Sequence, residues 1–118
     1  MAIKNPKAAR RLRVRRRIRK HLHGTADRPR LSVYKSNKAI YTQLINDEQG
    51  HTLVASSSSA LGLQEGTGID KAKKVGEDLA TKALAQDIHT IVFDRSGYIY
   101  HGQVKALAEG ARAKGLQF

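Results

Sequence analysis

Residues 30–45 have the sequence RLSVYKSNKAIYTQLI. Apolar and polar side chains alternate over residues 30–35, which is the period of a strand with one buried face. The SNK triplet at 36–38 supplies turn residues, because Asn tolerates a positive φ, and a second apolar run follows at 39–45. A further turn precedes a third run at 51–56. Three such runs joined by tight turns predict an antiparallel meander.

The period of the apolar residues changes after the third run. Residues 56–68 are rich in Ser and Gly, which predicts a loop. From Ile69 to Leu84, apolar residues recur three and four positions apart, which predicts a long helix with one buried face. Gly76 lies on that face, so we expect the helix to approach the sheet closely there.

The last third of the chain contains signals for one more strand and one more helix. The apolar run within residues 88–93 predicts a strand covered on both sides. Residues 102–114 predict a final helix, and Gly115 is the expected residue just beyond its end. The predicted fold class is therefore α/β, with the order βββ-α-β-α and a mixed sheet packed with two helices.

The formal net charge of +12 is distributed unevenly. Residues 1–30 hold 12 Lys and Arg against one acid, whereas residues 31–118 hold ten Lys and Arg against nine acids. We therefore predict a basic arm, residues 1–25, that is disordered when free, and a single globular domain, residues 26–118. Such an asymmetry indicates a polyanionic partner. The arm residues predicted to bind nucleic acid are Arg10, Arg11, Arg13, Arg15, Arg16, Arg17, Arg19 and Lys20.

A second feature of the arm is an apolar stripe formed by Val14, Ile18 and Leu22, spaced as on one side of a helix. Neutralisation of the arginines by phosphates would permit a helical turn or two. The same stripe is also compatible with a basic helix on a membrane surface. Nucleic acid is favoured, because the arm has no aromatic residue and because Arg suits bidentate phosphate contacts.

Several classes of protein are disfavoured by what the sequence lacks. It has no cysteine for disulfides or zinc–thiolate sites, and it has no phosphate-binding G-x-x-x-x-G-K-[ST] loop. The carboxylates do not follow the spacing of a catalytic metal site. We therefore expect no enzymatic activity, no metal, no cofactor and no membrane insertion.

The body offers two further candidate sites. Tyr34 and Tyr41 are placed to stack on unpaired bases, with Lys35 and Lys38 beside them for phosphates; alternatively, the tyrosines are half-buried partners across two strands. The serines at 56–59 either present hydroxyls to phosphate or form a flexible linker.

Three segments carry a resemblance to a known family: RPRLSV at 28–33, NKAIYTQ at 37–43 and DRSGYIYHGQVKALA at 94–108. Together they closely resemble bacterial-type large-subunit ribosomal protein eighteen, over essentially the whole chain. The resemblance implies binding to 5S ribosomal RNA, its attachment to 23S ribosomal RNA in the central protuberance, and contacts with neighbouring ribosomal proteins. It also implies a topology related to ribonuclease H-like domains without their activity, a cytoplasmic location and no homo-oligomer.

The resemblance also implies which residues of the body face RNA. Asp94 is expected to brace Arg95 or its turn, or to accept from a base amino group. Gln103 departs from the family, which often has Arg there. The predicted RNA-binding residues of the body are Arg28, Arg30, Tyr34, Lys35, Ser36, Asn37, Lys38, Tyr41, Gln43, Ser56, Ser57, Ser58, Arg95, Gly97, Tyr100, His101, Gly102, Gln103 and Lys105.

There are two rival functions: a general RNA- or DNA-binding protein with a basic tail, such as an RNA chaperone, and a Mg²⁺-dependent nuclease. A chaperone would show no preference for 5S RNA, and a nuclease would cleave RNA.

Overall fold

A computed structural model describes residues 9–13, 23–36, 38–63 and 66–118 of the chain. Residues 9–13 are helical and are called α1. The later elements follow the predicted order βββ-α-β-α and confirm the α/β class. They are β1 Arg30–Lys35, β2 Ile40–Asn46, β3 His51–Ser57, α2 Gly68–Ala85, β4 Val92–Asp94 and α3 Gln103–Ala113.

The described strands form one mixed sheet in the order β3-β2-β1-β4. The pairs β1–β2 and β2–β3 are antiparallel, which confirms the meander, and β4 runs parallel to β1. The alternation seen in the sequence sets which face is buried: Leu31, Val33 and Leu44 are almost completely inaccessible. Tyr34 and Tyr41 stand opposite each other in the register and point away from that core.

Of the two long helices, α2 packs against β2 and β3 and also against α3. α2 begins with a capping box in which the Thr67 hydroxyl accepts from the Asp70 N–H and the Asp70 carboxylate accepts from the Thr67 N–H. This arrangement satisfies two N–H groups that a helix start leaves without partners. The apolar face predicted for α2 is confirmed except at its first residue, Ile69, whose side chain is 53% exposed. Gly115, with φ +114°, follows the last turn of α3 as predicted.

The close approach predicted at Gly76 is made to α3 and not to the sheet. A Cβ atom at Gly76 would collide with the backbone carbonyl of Leu107, and a Cβ at Gly110 would collide with the carbonyl of Lys73. The two glycines therefore form a reciprocal contact, at which each helix leaves room for the backbone of the other. The spacing of apolar residues identified the buried side of α2 but not which element lies against it.

Replacement of either glycine by alanine should destabilise the protein. Overpacking costs about 1–3 kcal/mol and the gain in helix propensity is at most about 1 kcal/mol, so Gly76→Ala should lose ~1–2 kcal/mol in urea unfolding. The double variant Gly76→Ala/Gly110→Ala should lose less than the sum of the two single losses, because one added methyl group already separates the helices. Strict additivity would contradict a shared contact.

The fourth strand is shorter than its apolar run. The predicted strand is present, but β4 comprises only Val92–Asp94 and lies at the sheet edge. Val92 and Phe93 are half-buried, so the expected coverage on both sides is incomplete. The preceding residues pair instead with the end of the chain: the Ile91 N–H donates to the Gln117 carbonyl at 3.1 Å. Phe118 then stacks on Phe93, with ring centroids 5.5 Å apart.

Candidate nucleic-acid interface

The outer face of the β1–β2 hairpin carries an exposed aromatic pair. Tyr34 is 60% exposed and Tyr41 is 37% exposed, and their ring centroids lie 5.9 Å apart with the planes tilted by 39°. The rings are therefore paired across the two strands, as one alternative had it, but they are exposed and not half-buried. Their stacking on unpaired bases stays a prediction. Gln43, which is exposed, lies opposite Ser32 on the same face.

The turn of this hairpin holds its shape through Ser36. Its N–H donates to the Ala39 carbonyl at 2.9 Å, and its hydroxyl accepts from the Ala39 N–H at 3.1 Å. Lys38 is exposed beside it and Lys35 is half-buried. Asn37 lies outside the described residues. The turn thus carries one exposed cation, Lys38, and directly follows the half-buried Lys35 at the end of β1.

The loop after β4 is attached to the edge of β1 by two hydroxyl groups. The Ser96 hydroxyl accepts from the Val33 N–H at 3.3 Å, and the Tyr98 hydroxyl accepts from the Lys35 N–H at 3.1 Å. Ser96 has a positive φ of 57°, a conformation that is uncommon for residues other than Gly. Its own N–H is held by the Asp94 carboxylate at 2.8 Å. Asp94 therefore braces the turn, as one of the expectations had it.

The predicted RNA-binding residues of this loop are arranged around the same turn. Arg95 is half-buried and donates to the Tyr98 carbonyl at 3.0 Å. Tyr100 is 40% exposed, with its ring edge-on to Phe93 at 5.8 Å. His101 and Lys105 are exposed, Gly102 caps α3 with φ +57°, and the Gln103 amide lies against Gly68 at the start of α2.

The helix α1 lies against this loop. The Arg11 guanidinium is 5.3 Å from the centroid of the Tyr98 ring, and the Lys35 ammonium is 5.5 Å from it. A Cβ at Gly97, which has φ +84°, would collide with the Arg11 carbonyl. Arg10, Arg11 and Arg13 of the predicted set are described, and all three are exposed. The others lie outside the described residues: Arg15, Arg16, Arg17, Arg19 and Lys20, together with the apolar stripe Val14, Ile18 and Leu22.

Arg30 was predicted to bind RNA, but the structure buries it, with only 5% of its surface exposed. Its Nε and Nη2 donate to the two Asp47 carboxylate oxygens at 2.9 and 3.0 Å, and its Nη1 donates to Asp94 at 2.8 Å. The hydrogen bond to Asp47, with further contributions from its charge and from Asp94, outweighs burial and raises the pKa of Arg30. Arg30 therefore belongs to the interior, whereas Arg28 is exposed.

The serines at 56–58 are also internal, which corrects the expectation of a phosphate-binding or flexible segment. The Ser56 hydroxyl donates to Asp78 at 2.7 Å, and the Ser57 hydroxyl accepts from the Ala60 N–H at 3.0 Å. The Ser58 hydroxyl accepts from the Ile40 N–H at 3.1 Å. These hydroxyls are directed into the fold, because β3 extends to Ser57 and the next turn packs on β2.

The contact of Ser56 with Asp78 has a consequence at low pH. Burial tends to raise the pKa of Asp78, but the hydrogen bond from Ser56 and the charge and hydrogen bond of Lys82 together lower it below 3.8. The stabilisation is therefore complete above the unfolded-state pKa and is lost as the pH falls through the lowered value. Asp78→Asn should flatten the acid limb of a stability–pH curve by less than about 1 kcal/mol. Lys82→Gln should flatten the acid limb of the curve by a smaller amount. An unchanged acid limb in both variants would contradict a stabilising role for the Asp78 carboxylate.

Tyr98 and Ile99 are two residues of this surface that the sequence reasoning did not select. Tyr98 joins α1, β1 and the loop, and Ile99 is an apolar side chain that is 69% exposed. A signal was present in the alternation of aromatic and aliphatic residues after Gly97.

Among the described residues, no group of three metal-ligating side chains is found. No helix within the described ranges is long and apolar enough to cross a membrane.

Comparison with known proteins gives a consistent result along the chain. The family model described as "Ribosomal L18 of archaea, bacteria, mitoch. and chloroplast" matches residues 5–118. A Clostridium botulinum protein named Large ribosomal subunit protein uL18 is 55% identical over 117 residues, which cover 98% of each chain. Proteins of the same name from Bdellovibrio bacteriovorus and Chloroherpeton thalassium are 56% and 53% identical. These alignments cover 92% and 95% of this chain, and 88% and 96% of the relatives.

Proposed function

The chain belongs to the ribosomal L18 family, as its sequence motifs indicated, and from this membership we propose that it is a structural constituent of the large ribosomal subunit. In this role it binds 5S ribosomal RNA and attaches it to 23S ribosomal RNA in the central protuberance, next to other large-subunit proteins. We also propose that the protein acts in the cytoplasm, as part of the ribosome.

The observation that carries the proposal is the convergence of three basic or aromatic segments at Tyr98. Arg11 of α1 and Lys35 of β1 both lie over the Tyr98 ring, and the hairpin with Tyr34 and Tyr41 extends from the same strand. Cations and accessible aromatic rings are the groups that bind phosphates and unpaired bases. Such a surface suits a folded RNA with both helical and unpaired parts.

The distribution of charge supports a division of labour between the body and the arm. The body is nearly neutral, so its hairpin and loop are proposed to supply the preference for 5S RNA. Ten Lys and Arg residues lie within residues 1–22, a length that spans at most ~75 Å when extended. The arm is therefore proposed to supply affinity and to bridge to 23S RNA.

A competition binding assay tests the proposed function. Labelled 5S RNA bound to the full-length protein should be displaced by unlabelled 5S RNA at much lower concentration than by 23S fragments or duplex DNA. Equal displacement by all three would favour the general chaperone.

In a parallel assay with Mg²⁺, end-labelled RNA should stay intact. Cleavage that Asp94→Asn abolishes would instead support the nuclease. The native protein should also cosediment with large subunits and be released together with 5S RNA.

A further inference from the structure

We propose that the cavity between α1 and the body is a binding site for one unstacked nucleotide of the bound RNA, an inference that rests on the proposed function. The cavity has a volume of ≈ 420 Å³. Sites for small ligands occupy about 300–1,000 Å³, so a single nucleotide fits there and an RNA helix does not.

The lining has the two kinds of group that a nucleotide requires. Arg10, Arg11 and Lys35 contribute positive charge, and no carboxylate is among the described residues that line the cavity. Tyr98 and Ile99 contribute an aromatic and an aliphatic surface. Cations suit the phosphate, and an apolar surface suits the face of a base. A site that bound only a free anion would not require the apolar surface of Tyr98 and Ile99.

The body side of the cavity is held in place before any ligand arrives. The Tyr98 hydroxyl accepts from the Lys35 N–H at 3.1 Å, and the Tyr98 carbonyl accepts from Arg95 at 3.0 Å. Preorganised groups bind more tightly because less freedom is lost on binding. The nucleotide therefore meets a fixed aromatic ring on one side.

The other side of the cavity is supplied by α1. Gly97 lets α1 come close, because a side chain there would meet the Arg11 carbonyl. Arg10 and Arg11 then complete the lining from the arm. The cavity is thus formed jointly by the arm and the body, so a nucleotide bound in it would connect the two parts of the protein.

Substitution of two arginines in α1 distinguishes binding in the cavity from nonspecific attraction between the arm and phosphates. Both arginines are exposed, but Arg11 lines the cavity, whereas Arg13 is not among its described lining residues. Arg11→Gln and Arg13→Gln remove the same charge from the same helix. With 5S RNA and the full-length protein, Arg11→Gln should weaken binding roughly tenfold or more, as the loss of one stacked base does. Arg13→Gln should weaken it only two- to threefold, roughly the loss of one exposed phosphate contact.

Chemical probing of the 5S RNA gives a second readout. One nucleotide should become reactive at its ribose and protected at its base when the wild-type protein binds. Arg11→Gln and Ile99→Ala should abolish that pattern, and Arg13→Gln should keep it. Leu61→Ala, which removes an exposed apolar side chain outside the described lining, should also keep it.

The outcomes separate this inference from the function on which it rests. If 5S RNA binds selectively but Arg11→Gln and Arg13→Gln have equal effects and no nucleotide changes its reactivity, the cavity proposal alone is overturned. If the wild-type protein shows no preference for 5S RNA, both proposals are overturned. A selective loss with Arg11→Gln and Ile99→Ala supports both.

Discussion

Between about 50 and 200 mM salt, the affinity of the protein for 5S ribosomal RNA should fall by roughly 10³–10⁵-fold. Each phosphate that a Lys or Arg neutralises releases condensed counterions, and that release becomes less favourable as the salt concentration rises. Residues 1–22 alone hold ten such side chains. The measurement is a set of binding isotherms at four or more salt concentrations, plotted as log K against log salt.

Deletion of residues 1–22 should flatten this salt dependence while the preference for 5S RNA over other structured RNAs remains. A matched control keeps residues 1–22 in shuffled order, so that charge and length are unchanged. The shuffled arm should retain the steep slope but lose affinity, because the contacts of Arg11 with Tyr98 and of its carbonyl with Gly97 depend on sequence. Loss of all preference on deletion would contradict the assignment of selectivity to the body.

Replacement of Arg30 by methionine should destabilise the protein by about 3–5 kcal/mol, the typical cost of removing one partner from a buried ion pair. The Arg30 and Asp94 side chains are 6% and 0% exposed, so the two remaining carboxylates would lose a cation that water cannot replace. Asp47 also accepts from the Gly24 N–H at 2.7 Å. The substitution would therefore loosen the start of the body, the turn after β2 and the end of β4 together.

Urea unfolding of Arg30→Met and Arg28→Met measures this effect against a close control. Arg28 is also basic and lies two positions earlier, but it is exposed, so its replacement should change stability by no more than about 0.5 kcal/mol. RNA affinity, measured where both variants are folded, should fall more with Arg28→Met than with Arg30→Met. A larger loss of RNA affinity with Arg30→Met would restore Arg30 to the binding surface.

The elements that were predictable from the sequence are those specified by neighbouring residues. Alternation over residues 30–35 and turn residues at 36–38 define β1 and its hairpin locally, and helical spacing defines α2. The contacts that were not predictable involve distant partners. Gly76 shows that a backbone approaches, but the identity of that backbone, Leu107, depends on how α3 folds back. Likewise, the apolar side chain of Ile91 indicates that the residue is buried in the core. It does not indicate that the Ile91 N–H pairs with the carbonyl of Gln117.

In the candidate site, too, the contacts between residues far apart in the sequence were not predictable. The basic arm is visible as a block of charge, and its partner class follows from that block alone. Arg30 looks like a continuation of the block, because its two acidic partners lie 17 and 64 positions further along the chain. The serines at 56–58 resemble a polar loop for the same reason, since Asp78 and Ile40 satisfy them only in the fold.

The two hydroxyl contacts along β1 have a further consequence for contacts between copies of the protein. A strand edge with free N–H groups is a template on which another chain can add a strand, and this is a common start of aggregation. Ser96 and Tyr98 occupy the N–H groups of Val33 and Lys35 beyond the end of β4. The loop that we propose to bind RNA therefore also shields this edge, and we expect it to hinder the addition of a strand from another copy of the protein.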